Sequence, residues 1–113
     1  MSTPDIQREK LLSHEVAPAM RVGHVEMHRL TIAPGGSTGL HRHPGPVISL
    51  VIEGEISLEL EGEAPRLYRA GEAIFEPGDR PIPRFDNASA DRPAVFVATY
   101  LLDRVGIPLI ESL

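Results

Sequence analysis

Two histidines separated by one residue, His41-Arg42-His43, are the feature of the chain best suited to chemistry. On an extended backbone, residues two apart point to the same side, so both imidazoles can converge on one point while Arg42 faces away. Two converging neutral imidazoles suit a divalent transition metal, or a pair of hydrogen-bonding groups at the mouth of a pocket. The chain has five histidines, His14, His24, His28, His41 and His43, and none follows position 43. It has no cysteine, so thiolate ligation, thiol nucleophiles and disulfides are excluded, and any metal must be held by nitrogen and oxygen. Glu26, Glu76 and Asp86 are the acids that could add a carboxylate, and His28 a third nitrogen if its strand faces inward.

The elements that must position these residues are strands. The 113 residues include 10 Gly and 11 Pro, a density of turn-formers that argues for many short elements. A period-two pattern begins near Val22 in VGHVEMHRLTIA and ends at Pro34-Gly35-Gly36. Val47 to Ile52 is a nearly continuous apolar run, and Glu53-Gly54 predicts a hairpin into Ile56, Leu58 and Leu60. Further strands are expected at Arg66–Arg69, Ala73–Glu76 and Ala94–Leu102. Between the last two, DRPIPRFDNASADRP carries prolines that confine it to an edge or rim. Thr3 and Pro4 could open a short N-terminal helix, the alternative being an extended segment. The apolar tail VGIPLIESL needs a cover, either the barrel mouth or a second subunit.

The segment GGSTGLHRHPGPVISLVIEG resembles the first cupin motif, G-x5-H-x-H-x3–4-E-x6-G, with Gly35, His41, His43 and Gly54 in register. GEAIFEPGDRPIPRFDN resembles the second, G-x5-P-x-G-x2-H-x3-N, through Gly71 and Pro77, with Gly78 one residue early and Asn87 one late. The resemblance implies an all-β fold, the double-stranded β-helix or jelly-roll barrel. It implies a single domain over residues 1–113, with a barrel core at about 22–102 and an arm at each end. In that family a glutamate four residues after the second histidine and a histidine of the second motif complete a metal site. Here Val47 and Ile82 stand at those positions, and both are hydrocarbon.

Two of four ligands therefore remain, His41 and His43. The resulting expectation is a small-molecule-binding cupin with a degenerate metal site. Strand parity places His41, His43, Val47, Ser49 and Val51 on one side, with Ile48, Leu50 and Ile52 on the other. The ligand-binding candidates are His41, His43, Val47, Ser49, Ile82, Arg84 and Tyr100, with His28 as a further polar neighbour. The alternative is a metal-dependent cupin enzyme of the dioxygenase or isomerase class, with His41 and His43 holding Fe, Mn, Ni or Zn. A third reading makes His41 or His43 a general base in a metal-free enzyme.

The net charge of -5 and the scattering of eleven basic residues argue against nucleic acid as a partner. Glu53, Glu55, Glu59, Glu61 and Glu63 form a solvated face that discourages edge pairing. No apolar run approaches a membrane span and the N-terminus has no apolar signal core, so a cytoplasmic protein with no membrane partner is expected. The outward residues Ile48, Leu50 and Ile52 need cover from the N-terminal segment or from a second copy, and the expected assembly is a homodimer.

Overall fold

The computed structural model describes residues 5–113. Nine strands follow in chain order: β1 (His24–Ile32), β2 (His41–Arg42), β3 (Val47–Glu53), β4 (Glu55–Glu59), β5 (Arg66–Arg69), β6 (Ala73–Glu76), β7 (Arg84–Asn87), β8 (Ala94–Leu102) and β9 (Glu111–Ser112). All pairings are antiparallel, in a four-stranded sheet β1-β8-β3-β6, a three-stranded sheet β5-β4-β7 and a two-stranded ribbon β2-β9. The two larger sheets face each other over one core containing Val47, Val51, Ile56, Leu58, Ile74, Phe85, Phe96 and Leu102. This is the double-stranded β-helix that the resemblance implies, and the strand pattern alone indicates a closed sandwich or barrel. No helix occurs among the described residues, so residues 5–23 bear out the extended alternative, while Thr3 and Pro4 lie outside them. No helix is long and apolar enough to cross a membrane among the described residues.

Period-two burial dictates which side chains reach the interior. Along β8 every second residue from Ala94 to Leu102 is buried, and along β3 the buried positions are Val47, Ser49 and Val51. Ile48 and Ile52 face outward and stay exposed, as do Val25 and Met27 of β1 on the far side of β8 in the same sheet. The N-terminal segment covers part of this surface: His14 stacks on Phe75, the cross-strand partner of Ile48, with ring centroids 3.8 Å apart. On β4, Ile56 and Leu58 are buried and the flanking glutamates turn outward, where Glu55 meets Arg69 and Glu59 meets Arg84.

The expected hairpin at Glu53-Gly54 is not one. Both edges of β3 are already taken, by β8 on one side and β6 on the other, so β4 cannot pair with it and enters the opposite sheet. Gly54 makes this corner possible: its φ is +80°, and a Cβ there would lie 2.6 Å from the Pro93 carbonyl oxygen. The hairpin that does form joins β4 to β5. The proline-rich stretch behaves as an edge, contributing β7 to the rim of the smaller sheet.

Asn87, at the end of β7, ties three loop segments together. Its amide nitrogen lies 2.7 Å from the Arg92 carbonyl, 3.1 Å from that of Ile32 and 3.2 Å from that of Ala33, while its oxygen accepts from Ser89 N–H at 2.9 Å. The side chain is buried, so its removal leaves carbonyls without donors. Asn87→Ala is expected to lower unfolding free energy by about 2–3 kcal/mol, read by urea denaturation; a loss below about 0.5 kcal/mol would show that the clamp is dispensable.

Candidate metal centre

The sequence fixes where His41 and His43 point through the same alternation that builds the core. His41 lies in β2, bonded on one side to β9 and on the other to Ile82, whose backbone N–H donates to the His41 carbonyl at 2.7 Å. Both rings are buried, with centroids 4.9 Å apart and planes at 78°. The turn Pro44-Gly45-Pro46 carries the chain into β3 without breaking the parity, so Val47 follows on the same inward side. Glycine is required in that turn, because a Cβ at Gly45 would lie 2.1 Å from the Leu101 carbonyl oxygen.

Val47 supplies no ligand, but the residue directly across the ladder does. Val47 on β3 and Glu76 on β6 are register partners, and both side chains face inward. Such cross-strand neighbours have Cβ atoms roughly 5 Å apart, so a carboxylate on β6 reaches the space that one on β3 would fill. His41, His43 and Glu76 form a group whose ligand atoms all lie within 4.8 Å of one another, the one such group among the described residues.

Carbonyl oxygens only accept, and this assigns the histidine tautomers. His43 Nδ1–H donates to the Leu109 carbonyl at 2.8 Å, and His41 Nδ1–H donates to the Gly39 carbonyl at 2.7 Å, with Thr38 Oγ1 3.3 Å from the same nitrogen. Each Nε2 is left free to ligate. His43 Nε2 lies 3.3 Å from Glu76 Oε2, which is buried and has no hydrogen-bond donor. A neutral imidazole in this tautomer turns a lone pair toward a carboxylate oxygen, an arrangement that a cation between them stabilises. That cation is either a proton on Nε2 or a metal ion, and the N,N,O donor set fits a divalent transition metal.

The surroundings of His43 favour the protonated alternative. Burial works against the charged ring, but the Glu76 carboxylate, by contact and by charge, and the Leu109 carbonyl outweigh it and raise the pKa above the ordinary 6.5. Tyr100, whose ring centroid lies 5.8 Å from that of His43, is also held in its protonated form. Burial, then the charges of Glu76 and Glu26, raise its pKa, so the phenol remains a donor at neutral pH.

The three residues open on a cavity of about 50 Å3 lined also by Thr38, Val47, Tyr100 and the apolar side chains of Phe85, Phe96 and Ile110. A larger hollow of about 380 Å3 lies near His14, Tyr68 and Phe75, away from the buried ligands.

Of the residues singled out from the sequence, His41, His43, Val47, Tyr100 and, among the three candidate acids, Glu76 line this cavity. Ser49 and Ile82 face the interior but are packed into the core, with Ser49 Oγ buried and unpartnered. Arg84 is directed away from the cavity: Phe85 takes the inward position on β7, which leaves Arg84 outside with Glu59 and Asp86. Asp86 shares that outward face. Glu26 and His28 face the barrel from β1, but His28 Nε2 lies 3.0 Å from Glu26 Oε1 and its ring meets Tyr100 edge-on, so it adds no third nitrogen to the triad. Glu76 had no spacing signal in its favour. The usable sign is a lone acid on the apolar face of a strand, in phase with Ile74 and followed by Pro77-Gly78.

The comparisons agree with this architecture. The Cupin domain model matches residues 28–100. No curated protein matches the chain. Among solved structures, an oxalate oxidase in complex with the substrate analogue glycolate is 28% identical with a TM-score of 0.63, over 75% of this chain and 45% of that one. A cupin-like protein from Thermotoga maritima is 22% identical with a TM-score of 0.65, covering 79% and 64% respectively. A DMSP lyase from Ruegeria pomeroyi is 22% identical with a TM-score of 0.66, covering 78% and 42%. The chain thus spans less than two thirds of the length of each of these proteins.

Without a metal ion, a proton on Nε2 is the cation that can join His43 to Glu76. The folded pKa of His43 is raised, so its contribution to stability is fully present below pH 6.5 and is lost as pH rises through the folded value. Thermal denaturation across that window should show this loss in the unaltered chain and not in Glu76→Gln; parallel profiles for the two would contradict the pairing. On the match over most of its length and on its strand topology, the chain belongs to the cupin domain family.

Proposed function

We propose that this chain is a metal-dependent cupin enzyme in which His41, His43 and Glu76 hold one divalent ion and a small anionic, oxygen-bearing compound is the substrate. The observation that carries the reading is the buried Glu76 Oε2, without a donor and 3.3 Å from the free Nε2 of His43. The sequence expectation favoured recognition over reaction because Val47 and Ile82 are hydrocarbon. Glu76 supplies the carboxylate from the neighbouring strand and turns the balance toward metal chemistry.

A bound ion would supply Lewis acidity toward substrate oxygens at positions the protein leaves free. The two imidazoles are neutral and Glu76 carries one negative charge, so a divalent centre keeps about one unit of positive charge inside an apolar wall. That favours an anion as the incoming ligand. The cavity of about 50 Å3 is open on one side and suits a ligand that places a few heavy atoms beside the triad. Glycolate, held by the oxalate oxidase that this chain resembles, is in that size class. Tyr100, kept protonated, and the Thr38 hydroxyl can orient a carboxylate or hydroxyl group, and Phe85, Phe96 and Ile110 exclude water around it. Reactions of the dioxygenase or isomerase class are compatible with three protein ligands and open positions.

The donors suit Fe, Mn, Ni or Zn, and titration calorimetry with each ion tests the reading. One ion per chain is expected. Affinity should fall at least about 10- to 100-fold in Glu76→Gln and in His41→Ala, the range lost when even a supporting group of a metal site is removed. It should also rise with pH through the raised pKa of His43, because proton and metal compete for Nε2. Glycolate should bind the loaded protein and not the stripped one. An unaltered chain that takes up none of the four ions overturns the proposal in favour of a metal-free binding protein.

A further inference from the structure

The segment Ile107–Leu113 leaves β8 through a turn at Gly106, whose φ is +91°, and returns across the end of the barrel that holds the metal centre. It is tied to the site and to the neighbouring β2 by five contacts. The Leu109 carbonyl accepts the Nδ1–H of His43 at 2.8 Å. Ile110 forms part of the cavity wall. Glu111 and Ser112 pair with Arg42 and His41, and Leu113 N–H donates to the Leu40 carbonyl at 3.1 Å. Arg42 Nη2–H donates to Glu111 Oε1 at 2.8 Å.

The attachment is slight for a structural element. The ladder is two residues long, and the Arg42–Glu111 pair is exposed and contributes little. Only Ile107 and Leu109 pack against the core, each partly buried. Segments with so few buried contacts open locally at low free energy. Yet this one sets the ring orientation and tautomer of a buried ligand, because without the Leu109 acceptor nothing else among the described contacts holds the proton on Nδ1 of His43.

We propose that Ile107–Leu113 is a latch on the metal centre: docking of the segment completes His43 as a ligand, and metal binding in turn holds the segment closed over the cavity. Leu109 acts as a positioning residue through its carbonyl, and Ile110 limits the size of what the cavity admits. The inference rests on the metal reading of His41, His43 and Glu76. Linkage makes the effect reciprocal, so whatever factor docking adds to metal affinity, metal adds to the docking equilibrium.

Cobalt(II) is a suitable probe. The full-length double variant Ile107→Ser, Leu109→Ser removes the two apolar anchors while keeping every ligand and the residue 109 carbonyl. Its cobalt(II) dissociation constant should rise about 10- to 100-fold. In metal-free samples held at a pH where His43 is neutral, nitrogen-15 imidazole spectra should show His43 losing its single Nδ1–H tautomer, while amide protection of β8 stays unchanged. In the unaltered protein, saturating cobalt(II) should slow hydrogen exchange across residues 107–113 by at least about tenfold, a measurement that stands even if the variant fails to fold. Equal affinity in a folded variant, an unmoved His43 tautomer, or unchanged exchange with the metal bound would each overturn the latch. Failure of the unaltered chain to bind cobalt(II) at all would instead overturn the metal reading beneath it.

Discussion

The placement of Glu76 opposite Val47 is the constraint on which the rest of the site depends. It puts a carboxylate into the barrel interior beside an imidazole nitrogen whose proton has been drawn to the opposite side of the ring. Like-signed electron density facing itself in a low-dielectric interior is costly unless a cation bridges it. A barrel could have avoided the cost with an apolar residue at position 76, as it did at positions 47 and 82. An acid at position 76 is stabilised when it has a cation to hold.

The fold meets what a metal site at the triad would need. His41 and His43 are carried by backbone bonded on both sides or fixed by a turn that tolerates only glycine at position 45, so the rings have little freedom. Their Nδ1–H groups are engaged by the Gly39 and Leu109 carbonyls, which orients the rings and increases their basicity. The burial of His41, His43 and Glu76 strengthens the electrostatic interactions among them. Tyr100, between the triad and the His24–Glu26–His28 row of β1, is the polar group that joins the interior to the rim.

Much of this was legible in the residue pattern, and the parts that were not share a cause. Strand positions follow from period-two alternation, and Arg66–Arg69, Ala73–Glu76 and Ala94–Leu102 need only local information. The convergence of His41 and His43 is likewise a matter of parity within one segment. Corners are harder: Gly54 would serve a hairpin as well as a crossing between sheets, and the choice depends on which strands already occupy the edges of β3. Glu76 is harder still, because its role is set by cross-strand register between segments far apart in sequence. Arg84 failed as a pocket residue because Phe85 claims the inward position on β7. The need of the tail for cover could be read from its apolar residues, whereas the bond from His43 to Leu109 could not, since a backbone carbonyl leaves no mark in the sequence.

The most direct measurement is a crystal structure of manganese-soaked protein with anomalous data collected to locate the ion. The account predicts a single strong anomalous peak bonded to Nε2 of His41, Nε2 of His43 and a carboxylate oxygen of Glu76. An ion bound elsewhere, or one held by the two histidines with Glu76 turned away, would contradict it.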